Sequence, residues 1–162
     1  MPQNISNTDE LVFSMRTILS ALACSFLLMT VPAPAMAQQP VTKLPTVNMQ
    51  IGLHLIKVEY ASTEDQRATG LMFRKHLDEN SGMLFDYNRT ATRACMWMKN
   101  TFVPLSVAFI DPDGIILNIE DMEPLSLATH CSRGQTRYAL EMNQGWFAAK
   151  GIGPGSKAVI LP

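Results

Sequence analysis

From residue 47 onward the apolar runs are short and are bounded by turn signals, a pattern that favours strands of four to eight residues over long helices. The clearest case is Asp111-Pro112-Asp113-Gly114, which joins an apolar run at 106–110 to another at 115–119. Proline presets the second turn position and glycine supplies positive φ at the exit, so the two runs are expected to pair as a hairpin. Val47, Met49, Ile51, Leu53 and Leu55 alternate with polar residues, and the phase then flips so that Ile56, Val58 and Tyr60 continue the apolar series. A bulge or break near Leu55-Ile56 accounts for such a shift, with His54 on the solvated face. Further strands are expected at 83–85 after the turn Asn80-Ser81-Gly82, at 93–99, at 136–142 and at 157–161. In the 136–142 strand, Tyr138 and Leu140 share one face and Ala139 and Glu141 the other.

Only residues 61–73 read as a helix of more than a turn. Ser62 with Asp65, and Thr63 with Gln66, resemble a capping box, and Glu64 and Asp65 suit the positive end of the helix dipole. Gly70 weakens the interior, so the helix should end near Met72, with Arg67 and Arg74 on its solvated surface. A single helical turn is expected at 145–150, stopped by Gly151. Residues 120–134 lack periodicity and read as a loop carrying His130 and Cys131. Seven or so short strands and one short helix imply a mainly β sandwich or barrel.

The N-terminal part follows a different plan. Residues 18–31 are apolar, Arg16 precedes them, and Ala35-Met36-Ala37 has the small-residue form of a cleavage site. This is the layout of a secretory signal peptide over residues 1–37. The run of about 14 residues falls short of the roughly 20 that span a bilayer. Asp9 and Glu10 place acid where the leader should be basic, so translation is expected to start at Met15. Residues 38–45 form a polar tether, and residues 46–162 one domain. The expected location is outside the cytoplasm, periplasmic or extracellular. The leader's own Cys24 is removed with it, leaving Cys95 and Cys131, which an oxidising compartment favours as a disulfide. A formal charge of −1 supplies no basic footprint for nucleic acid and no polybasic segment for a membrane surface.

Several motifs recur in a fixed order: Arg67-x-x-Gly70-Leu71-Met72-x-Arg74, Gly82-Met83-Leu84-Phe85, Trp97-Met98-Lys99-Asn100-Thr101 with Pro104-Leu105, Tyr138-x-Leu140-Glu141 with Gly145, and Gly151-Ile152-x-Pro154-Gly155. In these motifs the chain resembles domain-of-unknown-function family 192 over about residues 47–161. The resemblance implies a jelly-roll-like β-sandwich or barrel with one short helix, and brings no established chemistry. Ser106 stands where the family pattern has an aspartate after Pro-Leu.

The densest cluster of special side chains is Ala94-Cys95-Met96-Trp97-Met98-Lys99-Asn100-Thr101. On a strand, Cys95, Trp97 and Lys99 would share one face, and Met96, Met98 and Asn100 the other. The structural reading is that Cys95 bridges Cys131, Trp97 lies under the loop that bears it, and the methionines fill the core. The functional reading is a groove in which Lys99, Trp97, Asn100, Arg67 and Glu141 bind an anionic or carbohydrate-like ligand through an apolar wall and a few convergent polar groups. Its partner is then a small molecule, or an exported protein that the module assists, and no cofactor is implied. An alternative is a Cu(I) site using Cys95, Met96, Met98, His130 and Cys131, whose sulfur and imidazole groups suit a soft metal. An enzyme of unknown type has the least support. There is no Ser-His-Asp, two-carboxylate or multi-histidine pattern, and the neighbours His130 and Cys131 point apart in an extended chain.

Overall fold

A computed structural model describes residues 42–88 and 93–162. The expected leader, its Met15 start, the tether up to residue 41 and residues 89–92 lie outside the described residues. Nine strands and two short helices follow in order: β1 (Thr46–Ile51), β2 (His54–Ala61), α1 (Glu64–Thr69), β3 (Gly82–Asp86), β4 (Cys95–Met96), β5 (Leu105–Ile110), β6 (Ile116–Met122), β7 (His130–Cys131), β8 (Tyr138–Asn143), α2 (Trp146–Ala149) and β9 (Ala158–Leu161). Seven strands form one sheet in the order β6-β5-β8-β3-β2-β1-β9, while β4 and β7 form a separate ribbon. All pairings are antiparallel except β2 with β3, where α1 and the segment after it make the crossover.

The sheet curls until its two ends approach. Ile115 bridges Lys157, and the Ile116 and Ala158 N–H groups donate to Ser156 and Gly114 carbonyls. This is a curled, partly closed sheet of the barrel or sandwich class that the strand pattern implies. Every strand of the sheet contributes to one apolar cluster, including Met49, Ile56, Leu84, Ile110, Ile116, Leu140 and Ala158, which therefore fills the inside of the curl. Trp146 and Phe147 of α2 pack into it. Alternation sends Met83 and Phe85, Val107 and Phe109, and Ala139 to the opposite face, where Leu71, Leu77, Met98 and Val103 cover them. Strands β3 and β5 are thus buried along their whole length. Gly82 sits where β3 presses on β8: a Cβ there would collide with the Glu141 carbonyl oxygen and the Met142 sulfur.

Helix α1 is capped as expected, with Thr63 Oγ1 accepting the Gln66 N–H and Gln66 Oε1 accepting the Thr63 N–H. The Asp111–Gly114 turn is also present, with the Gly114 N–H donating to the Asp111 carbonyl. Other expectations need correction. The phase flip near Leu55-Ile56 is a hairpin rather than a bulge. Ile51 pairs with His54 across Gly52-Leu53, and Gly52 takes a φ of 57°, which fits glycine at the first position of a two-residue turn. His54 is not free in solvent, since its Nε2 lies 3.1 Å from the Lys150 carbonyl. The seven-residue strand expected at 93–99 shrinks to Cys95–Met96, because its only strand partner is the two-residue β7. The loop expected at 120–134 loses residues 120–122 to β6 and 130–131 to β7.

The two arginines assigned to a solvated helix surface are both engaged. Arg74 is buried and makes a bidentate pair with Glu59, its Nη1 and Nη2 at 2.5 and 2.7 Å from the carboxylate oxygens. Burial pushes the Glu59 carboxyl up, but hydrogen bonding from Arg74 and the Leu44 N–H, with the Arg74 charge, hold it below its ordinary value. Arg67 Nη1 donates to the Ser62 and Asp86 carbonyls at 2.7 and 2.8 Å, and its guanidinium lies 5.8 Å from the Tyr87 ring centre. It ties the crossover to the end of β3.

A candidate binding pocket over Glu141

Glu141 lies in the middle of β8, paired with Met83 on one side and Val107 on the other. It shares its face with Ala139, so its side chain rises from the sheet among the apolar residues of the outer cluster. The residue is 4 % exposed, and its carboxyl has no hydrogen-bond or ion-pair partner among the described residues. Burial alone pushes it up to about 8, so at neutral pH most of the population is protonated. Tyr87 is pushed up to about 12 by burial and by the Glu141 charge.

The carboxyl opens on a small pocket of about 30 Å³, lined by Arg67, Ala68, residues 69–72, Phe85, Met96, Trp97, Thr101 and Glu141. Its size matches about one water molecule or one small polar head group. Strands β3 and β8 supply Phe85 and Glu141. The end of α1 supplies one wall, where Gly70 takes a φ of 48° and its backbone lies so close to Phe85 that a Cβ would sit 3.2 Å from the ring. Met96 and Trp97, at the end of the ribbon, supply the other.

Long-range contacts hold that second wall in place. The Cys95–Cys131 disulfide joins β4 to β7, and Ala94 and Ser132 exchange two further hydrogen bonds beside it. Beyond Trp97 the chain turns at Asn100, whose φ of 56° directs its carbonyl to the Phe73 N–H at 2.8 Å. The Met98 N–H donates to Ser126, and the Leu125 N–H donates to Thr101. Tyr87 donates its hydroxyl to the Met96 sulfur at 3.1 Å.

Of the five side chains singled out in the sequence, Arg67, Trp97 and Glu141 meet at this pocket. Lys99 and Asn100 do not line it. The Lys99 Nζ lies 5.4 Å from the centre of the Trp97 ring, so the amine stands at the rim. Asn100 reaches the Met72 sulfur at 3.9 Å and braces the wall from behind. Strand alternation separated Trp97 from Met96, yet both line the pocket, because the ribbon ends at Met96 and the chain no longer alternates. Met72, Phe85 and Thr101 were not anticipated as lining residues. The Gly70-Leu71-Met72 and Gly82-Met83-Leu84-Phe85 motifs carry two of them, but nothing in either motif separates a pocket role from packing.

For the copper alternative, both cysteine sulfurs are committed to the disulfide and Met98 is buried. No group of three or more His, Cys, Asp or Glu side chains is placed to hold a metal among the described residues. No helix among them is long and apolar enough to cross a membrane.

No curated protein matches the chain. Among solved structures, it is similar to a candidate transcription regulator from Sinorhizobium meliloti 1021, with 35% identity and a TM-score of 0.70 over 75% of this chain and 98% of that one. It is equally similar to a protein of unknown function from Novosphingobium aromaticivorans DSM 12444, again with 35% identity and a TM-score of 0.70, over 78% of this chain and 94% of that one. The family DUF192, described as uncharacterized ACR, matches residues 46–160, from the start of β1 into β9, and the chain belongs to that family.

Proposed function

We propose that the protein is an exported small-ligand-binding module, and that its site is the pocket over Glu141. One observation carries this reading: a carboxyl buried in the middle of a sheet, without a partner, at the floor of a small opening. Leaving such a group unsatisfied costs the fold on the order of 1–3 kcal/mol or more. A perturbed, unpaired group in a cleft is a common mark of a functional site. Trp97 adds a half-exposed aromatic wall, and Lys99 a cation at the rim. The disulfide is compatible with an oxidising compartment, which supports export. The regulator label of the Sinorhizobium relative gains no support as DNA binding here, since a formal charge of −1 offers little to a phosphate backbone.

The test uses thermal unfolding with millimolar amino acids, simple sugars, carboxylates and amines. At least one class should raise the midpoint of the wild type, and Trp97→Ala should lose that shift while remaining folded. Lys99→Ala, at the rim, should weaken the response. A flat response across the whole panel refutes the reading.

A further inference from the structure

We propose that the pocket over Glu141 accepts the primary ammonium group of a small amine, which enters between Trp97 and the end of α1 and donates hydrogen bonds to the Glu141 carboxylate. This deepens the binding reading above and rests on it.

The argument is one of hydrogen-bond complement. Arg67 Nη1 gives to the Ser62 and Asp86 carbonyls, and Thr101 Oγ1 gives to the Lys99 carbonyl at 3.3 Å. The other N–H groups of Arg67 and Trp97 belong to partly exposed side chains that water reaches. The pocket's thioethers accept from within the protein as well, Met96 from Tyr87 and Met72 from Asn100. What remains unanswered below the surface is the Glu141 carboxyl, with the buried Phe85 ring beside it in the lining, and both favour a positive donor. The chain already shows the preference of one ring, since the Lys99 ammonium lies over Trp97. The room of about 30 Å³ fits an –NH₃⁺ head and excludes a quaternary ammonium.

Binding is then linked to ionisation. Glu141, lifted by burial to about 8, must release its proton to pair with the cation. Of the charged or titratable groups around it, Arg67 from α1 shares the pocket, Tyr87 after β3 feels its charge, and Lys99 stands over the Trp97 ring. Arginine stays charged and Tyr87, at about 12, stays neutral across the working range. The neighbours on β3 and β5, Met83 and Val107, do not titrate.

The experiment is calorimetric titration of the oxidised protein with methylammonium, tetramethylammonium and neutral methanol, in buffers of different ionisation enthalpy. Methylammonium alone should bind. At neutral pH it should release close to one proton per site, and its affinity should rise about tenfold per pH unit until about pH 8. Glu141→Gln should abolish both signals while leaving near-ultraviolet circular dichroism unchanged. Equal binding of methylammonium to wild type and Glu141→Gln overturns the proposal, as does equal binding of tetramethylammonium. If methylammonium is silent but a sugar or carboxylate gives a Trp97-dependent thermal shift, the amine assignment fails and the binding module stands. If nothing binds, both fall.

Discussion

Replacing Glu141 by glutamine tests the floor of the pocket without any ligand. The substitution keeps the size of the side chain and removes the proton that titrates. In the unfolded chain the carboxyl ionises near 4.5, whereas burial lifts it to about 8 in the folded protein. Between these values the unfolded state loses a proton that the folded state retains. Stability is therefore unaffected by this group below 4.5, and falls as pH rises towards 8 by about 1.4 kcal/mol per unit. Across the whole window the loss reaches about 5 kcal/mol, a large part of the 5–15 kcal/mol that holds a typical domain together. Glu59 acts in the opposite sense. Its carboxyl is held low, so its contribution is present above 4.5 and lost as pH falls. Comparing the variant with wild type at each pH cancels that second group. Urea unfolding at about pH 4, 6 and 8 should give nearly equal stabilities at the acid end, with Glu141→Gln ahead by several kcal/mol at the alkaline end. A wild-type-to-variant difference that does not change with pH refutes the reasoning, because the carboxyl would then ionise as freely folded as unfolded.

Two further outcomes follow from the same structure. The disulfide spans a sequence separation of 36, so its loss in Cys95→Ser/Cys131→Ser should cost about 4 kcal/mol in the chain-entropy model, read as a lower urea midpoint. Arg74→Met should destabilise by about 3–5 kcal/mol because it leaves Glu59 buried and unpaired, whereas Glu59→Leu/Arg74→Met should recover most of that loss, checked by a double-mutant cycle.

The strands of the sheet were legible wherever period-two alternation and a local turn coincide. β5, β6 and the turn between them read directly from Asp111 to Gly114, and α1 from Thr63 and Gln66. The β1–β2 hairpin was missed although Gly52 stood at the right place, because the apolar residues on either side, including Leu53 itself, looked like one continuing strand. Leu53 is 95 % exposed, an apolar residue at a turn tip that composition cannot distinguish from a buried one. The ribbon was misjudged for a different reason. Its length depends on pairing with residues 130–131, a contact that no local pattern encodes. The pocket was half legible: Arg67, Trp97 and Glu141 stood out by type, but their meeting depends on a parallel crossover, a disulfide and two left-handed turns. Nor does a glutamate on an alternating strand announce that it is buried. The depth of Glu141 follows from the layer laid over β8, supplied by segments 40 to 74 residues earlier in the chain.

The floor and the covering of this pocket have different mechanical origins. Glu141 and Phe85 stand on central strands whose register is locked from both sides, whereas the covering residues come from the end of α1, the crossover after it and the end of the short β4–β7 ribbon. The floor is thus set by strand register, while the roof is held by the disulfide and by a few loop hydrogen bonds, so the covering can loosen without unpairing a single strand of the sheet.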